Sequence, residues 1–156
     1  MHTIQSANST YVQLHQQLKA LLANETDMIA NLANTSALLY HSLADINWVG
    51  FYLLKGEELV LGPFQGKPAC VRIPLGKGVC GTAALNRETI VVGNVHEFPG
   101  HIACDVDSKA EIVVPIFTGD KLLGVLDVDS PKLNRFSDDD RLGLLAIVDI
   151  VQSTLM

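Results

Sequence analysis

Three cysteines and three carboxylates are the residues of this chain best able to do chemistry. Cys104 lies in His101-Ile102-Ala103-Cys104-Asp105, within a stretch that keeps no hydrophobic period, the wrong place for a thiol that merely fills core volume. A partly exposed thiol in such a segment suits reaction, because the thiolate is the nucleophile and access limits it. Cys70 opens an expected strand, and Cys80 starts a short expected helix, where the N-terminal dipole favours a thiolate. The spacing fits no compact zinc pattern: His96 and His101 could complete four ligands, but there is no Cys-x-x-Cys pair, and no metal site is expected. Inert thiols and sulfur redox chemistry remain, the latter with Cys104 as nucleophile.

The carboxylates emerge from a hairpin register. Residues 111–117 and 121–129 read as two strands around Thr118-Gly119-Asp120. A three-residue loop with Gly119 left-handed pairs Phe117 with Lys121 and Glu111 with Asp127. One face then carries Ile112, Val114, Ile116, Leu122, Gly124, Leu126 and Val128, which suits packing against helices, and the other gathers Glu111, Asp127 and Asp129. A two-residue loop mixes the acids among apolar partners. Clustered carboxylates repel unless they are solvated or meet a cation, so this face is either a wet exterior or a receptacle for an ammonium group or metal ion. With no Asp-rich calcium loop present, the ammonium of a free amino acid suits them. Trp48, Gly50 and Tyr52 share one face of another strand; if that face is the acidic side, the two rings wall a site for an S-methyl group or a cation. The ligand so described is small, cationic at one end and apolar at the other.

The elements that must position these residues follow from periodicity. Residues 9–22 and 26–40 carry apolar positions at helical spacing, separated by Asn24 and Glu25. Strands are expected at 48–54 and 59–64 around a turn at Gly56, then at 70–73, followed by a glycine-led short helix at 79–85 and a strand at 89–92. Residues 93–108 form a long irregular segment, a length that in a compact domain usually carries function. Ser137 is a good N-cap for a last helix running to about Thr154, with Asp138, Asp139 and Asp140 in its first turn. The sum is one α+β domain over residues 1–156: a central antiparallel sheet of about six strands, N- and C-terminal helices on one face and the pocket on the other.

Composition excludes several function classes. The 156 residues, 48% hydrophobic and 18% charged, describe a globular domain and neither a disordered chain nor a coiled coil. A net charge of −6 opposes attraction to nucleic acid or anionic lipid, and no apolar run approaches a bilayer span. No secretory signal opens the chain, and the odd cysteine count argues against a disulfide framework, so a cytoplasmic location is expected. The glycines at 76, 78 and 81 do not form a Walker loop, and no Gly-x-Ser-x-Gly elbow is present.

Taken together, Asn47-Trp48-Val49-Gly50-Phe51-Tyr52, Gly76-Lys77-Gly78-Val79-Cys80-Gly81, Phe98-Pro99-Gly100-His101-Ile102-Ala103-Cys104-Asp105, Glu111-Ile112-Val113-Val114-Pro115 and Gly124-Val125-Leu126-Asp127-Val128-Asp129-Ser130 closely resemble the free methionine-R-sulfoxide reductases, a family of single GAF domains. The resemblance covers residues 47–140. It implies that Cys104 is the catalytic cysteine, that Cys70 and Cys80 are the other redox cysteines, and that Trp48, Tyr52, Glu111, Asp127 and Asp129 hold free methionine-R-sulfoxide. It further implies no bound cofactor and recycling by thioredoxin or another external dithiol; pairing of two copies through terminal helices is an analogy with GAF domains. Gly93-Asn94 departs from the pattern, which has an acidic residue there. The competing class is a non-catalytic GAF sensor of a small ligand, which an anionic nucleotide would fit poorly beside three acids.

Overall fold

Alternation along a single strand divides this molecule into two cores. The computed structural model describes residues 2–101 and 105–155, with side chains from residue 9 onward. In chain order it contains α1 (His2–Leu22), α2 (Met28–Ser42), β1 (Trp48–Lys55), β2 (Glu58–Gly66), β3 (Arg72–Pro74), α3 (Gly78–Asn86), β4 (Ile90–Val92), β5 (Ala110–Thr118), β6 (Lys121–Ser130) and α4 (Asp138–Ser153). The strands form one antiparallel sheet in the order β3-β2-β1-β6-β5-β4, the α+β arrangement expected. None of the described helices is long and apolar enough to cross a membrane.

Val49, Phe51 and Leu53 of β1 pack with Leu14 and Leu18 of α1, Leu32 and Leu39 of α2, and Leu144, Ile147 and Val151 of α4. Trp48 and Tyr52 point the other way, into a second cluster with Leu59, Ile73, Val79, Ala83 and Val125. Full burial of one such side chain contributes about 1.5–3 kcal/mol, so a one-residue slip of β1 would exchange two sets of contacts at once. The terminal helices therefore own one face, while the inserted α3 packs on the other and helps to build the site.

Helix ends follow side-chain chemistry. Ser137 forms a capping box with Asp140: the Asp140 N–H donates to Ser137 Oγ at 3.2 Å, and the Ser137 N–H donates to Asp140 Oδ2 at 2.8 Å. Asp140 also accepts from Tyr11 Oη at 2.7 Å, tying α4 to α1. α2 begins at Met28, later than its apolar pattern, because Asp27 is the N-cap and accepts from the Ala30 N–H at 2.9 Å. α1 extends back to His2, through a polar stretch that the apolar period does not mark.

The β5–β6 hairpin corrects the expected register. Its turn has two residues, with Thr118 opposite Lys121 and Gly119 at φ +61°. The ladder then passes from Phe117↔Leu122 to Ile116↔Gly124, leaving Leu123 as an extra residue. Such a bulge adds one residue to one strand and restores the parity the shorter turn removed. Glu111 therefore faces Asp129, and Asp127 faces Val113, a shift of two from the expected pairing. A shift of two keeps each side chain on its face. At the bulge Leu122 moves from the helix face to the site face, and Leu123 packs against the helix-side core instead.

Two further differences concern the site. β3 starts at Arg72, so Cys70 lies in the segment before the strand; its carbonyl accepts from Tyr52 Oη at 2.8 Å. The irregular 93–108 segment contains a short 3-10 turn, Val95–Glu97, capped by Asn94, whose Oδ1 accepts from the His96 N–H at 3.0 Å.

Candidate active site

β1 supplies the aromatic wall. Trp48 and Tyr52, two residues apart on each side of Gly50, stack with centroids 5.9 Å apart and planes at 25°. Trp48 also stacks on Phe64 of β2 at 5.2 Å and 16°. Gly50 makes this possible: a Cβ there would lie 2.3 Å from Phe64 Cβ and 2.9 Å from the Trp48 ring. The polar tips are satisfied away from the rings, with Trp48 Nε1 donating to the Lys67 carbonyl at 3.0 Å and Tyr52 to Cys70.

Opposite the wall, β5 and β6 present Glu111, Asp127 and Asp129, and the first turn of α3 presents Cys80. α3 approaches closely because Gly81 lies against the Pro74 carbonyl, where a Cβ would come within 2.5 Å. Trp48, Tyr52, Cys80, Glu111, Asp127 and Asp129 all line one cavity. Lys77, His101, Asp105 and Ser108 line it too, none of them part of the acidic face that the hairpin pattern marks. The available signal for two of them was their place on either side of Cys104 in the motif. Asn47 holds that side of the rim, donating from Nδ2 to Ser108 Oγ at 3.2 Å and to Asp105 Oδ2 at 3.4 Å. Cys70 is disulfide-bonded and half-buried, tethered to Tyr52 through its carbonyl, whereas Cys80 is a free, buried thiol. Cys104 lies outside the described residues.

Enclosure controls the charge of this site. Glu111 and Asp127 are buried, and Asp129 keeps part of its surface open. Burial pushes all three carboxyl groups well above the ordinary range, and each acid's charge raises another: Asp127 acts on Glu111, Asp129 on Asp127, and Glu111 on Asp129. Glu111 and Asp129 stand opposite each other on the ladder, and Glu111 raises Asp129 further after burial. Asp127 Oδ1 is buried without a hydrogen-bond partner. A buried acceptor left so costs about 1–3 kcal/mol, and a ligand donor is what it lacks.

Cys80 overturns the expectation of a thiolate. Its Sγ donates to Glu111 Oε2 at 3.7 Å, and burial followed by the charges of Asp127 and Glu111 pushes the thiol well above its usual range. The helix dipole, a fraction of a charge, loses to two acids and desolvation. His101, half-buried beside His96 with ring centroids 6.3 Å apart, is lowered by burial and then by the neighbouring imidazole. Cys80, Glu111 and Asp127 also place potential ligand atoms within 4.8 Å of one another, a set drawn from three elements that no sequence spacing reveals.

An acidic, aromatic-walled cavity on the face of a six-stranded sheet away from the terminal helices can bind a small cation bearing an apolar group. Residues 17–155 match the GAF domain family. Free methionine-R-sulfoxide reductase of Escherichia coli strain K12 is 53% identical over 145 residues, spanning 93% of this chain and 88% of that protein. The structure of fRMsr of Staphylococcus aureus in its reduced form superposes with a TM-score of 0.92 at 59% identity, covering 94% of this chain and 95% of that one. Free methionine-R-sulfoxide reductase from Neisseria meningitidis in complex with its substrate gives a TM-score of 0.92 at 45% identity, covering 95% of this chain and 89% of that one. The chain belongs to the free methionine-R-sulfoxide reductase family of GAF domains.

Proposed function

We propose that this protein is a thiol-dependent oxidoreductase that reduces free L-methionine-(R)-S-oxide to L-methionine. The observation that carries the reading is the buried acid cluster facing the Trp48–Tyr52 wall, with Asp127 Oδ1 lacking a donor. The substrate ammonium donates to Asp127, and the S-methyl end lies against the two rings. An amide nitrogen carries no such charge, so a peptide-bound residue is rejected. The names of the Escherichia coli and Neisseria meningitidis relatives support the same substrate.

One acid of the Glu111–Asp129 pair, kept protonated by burial and the neighbouring carboxylates, donates to the sulfoxide oxygen and makes the sulfur electrophilic. The Cys104 thiolate attacks that sulfur; oxygen passes to Cys104 as a sulfenic acid, and the sulfur leaves as the thioether of methionine. A second thiol then condenses with the sulfenic acid, releasing water and forming a disulfide. Cys70 is the resolving residue, since it is disulfide-bonded while Cys80 keeps its thiol. An external dithiol such as thioredoxin reduces the disulfide by exchange, and the cytoplasm supplies it. No bound cofactor takes part.

The test is Cys104→Ser assayed with free L-methionine-R-sulfoxide, for which turnover should disappear. Near-normal turnover would remove Cys104 from the nucleophile role. Thiol titration separates this enzyme from a sensor: methionine sulfoxide should consume two thiols per chain, whereas a binding domain would lose none.

A further inference from the structure

The geometry points to a second ligand class for the same cavity: Cys80, Glu111 and Asp127 form a binding site for a divalent cation of the zinc class. The three residues stand on separate rigid elements, α3, β5 and β6, and are all buried. Cys80 Sγ lies 3.7 Å from Glu111 Oε2, and the ligand atoms of all three lie within 4.8 Å of one another. A tetrahedral zinc ion with bonds of about 2.3 Å to sulfur and about 2.0 Å to oxygen sets sulfur and oxygen about 3.5 Å apart. The Cys80–Glu111 separation is close to that spacing, and Asp127, within 4.8 Å of both, completes a set that a cation can draw together.

Asp127 provides the independent sign of a missing ligand. It is 5% exposed, lines the cavity, and its Oδ1 has no hydrogen-bond partner. The donor set decides the class of ion. Calcium and magnesium take six or more oxygens or retain several waters, which an enclosed site with a sulfur ligand does not offer. One sulfur and two carboxylate oxygens suit a borderline-soft ion and leave a fourth position open. Binding displaces the Cys80 proton and the carboxyl protons, so affinity rises with pH. Since the proposed substrate ammonium uses Asp127, the ion and methionine sulfoxide exclude one another; that consequence rests on the function proposed above, whereas metal binding itself does not.

The test uses whole protein oxidised until one thiol per chain remains, which is Cys80 in the disulfide form. Cadmium is titrated in, and the ultraviolet cadmium–thiolate charge-transfer band is recorded. One ion per chain is expected, with the band abolished in Cys80→Ser and the affinity lowered by roughly tenfold or more in Asp127→Asn, as loss of one charged ligand implies. Absence of the band in the unmodified protein, or equal cadmium affinity in Asp127→Asn with its melting temperature retained, overturns the site. Methionine sulfoxide should raise the apparent cadmium Kd in proportion to its concentration. A band that forms normally but ignores methionine sulfoxide upholds the metal site and counts against the substrate reading instead.

Discussion

Glu111 and Asp129 stand directly opposite each other across the β5–β6 ladder, two acids at a position where like charges ordinarily destabilise a sheet. With Asp127 they form a cluster whose protonation in the folded state outlasts that of the unfolded chain. Below the ordinary carboxyl range both states are protonated and the cluster has no effect on stability. Above it the unfolded chain ionises first and binds fewer protons, so stability falls as pH rises toward the raised folded values.

Urea denaturation of ligand-free protein should therefore show Asp127→Asn gaining on the unmodified chain as pH rises from the ordinary carboxylate range toward the raised folded value of Asp127. There the variant should be the more stable, because its amide is spared the proton uptake that folding demands of the buried acid. Parallel stability curves would contradict the assignment of a protonated cluster.

Binding of methionine sulfoxide should release protons. The ammonium lowers the carboxyl it meets, so affinity increases with pH through the interval between the bound and free values of Asp127. Calorimetry in two buffers of different ionisation enthalpy reads the proton count directly; zero protons would refute the pairing. In steady state Asp127→Asn should raise KM by about a hundredfold, the worth of a charged hydrogen bond of about 3 kcal/mol.

The two remaining cysteines should separate kinetically. Cys70→Ser should yield one methionine per chain and then stall with thioredoxin present, whereas Cys80→Ala should keep turning over, more slowly. Quenched-flow product counts decide between them, and repeated turnover by Cys70→Ser would make Cys80 the resolving thiol.

Two substitutions probe the aromatic wall. Tyr52→Phe removes the 2.8 Å hydrogen bond to the Cys70 carbonyl and should cost about 0.5–1.5 kcal/mol while slowing disulfide formation. Gly50→Ala forces its methyl group against Phe64 and Trp48 and should cost about 1–3 kcal/mol, with a shifted Trp48 fluorescence spectrum. Unaltered fluorescence would mean that the wall tolerates the added carbon.

Some of this arrangement was legible in the sequence because it depends on parity and capping. The alternation of Trp48 and Tyr52 with Val49 and Phe51 needs only a period of two, and Ser137 beside Asp140 needs only local hydrogen bonding. The proximity of Cys80 to Glu111 depends on how α3 seats against β3 and β5, which no local pattern encodes. The protonation state of Cys80 follows the same divide: the dipole is written in the chain, and the neighbouring acids are not. The bulge at Leu123 left no composition signal either, since leucine suits both faces of the hairpin.

The bulge gives the hairpin an even-numbered grammar. Adding or deleting one residue in the turn, with no second change along the strands, would turn one strand over against the other: with β5 held in place, Asp127 and Asp129 would swing toward Leu144 and Ile147 and leave Glu111 behind, while Leu126 and Val128 met the ligand. Adding two would leave each on its own side. Length variants of this connection should therefore survive in pairs, and a working protein with a single extra turn residue should have lost the kink at Leu123.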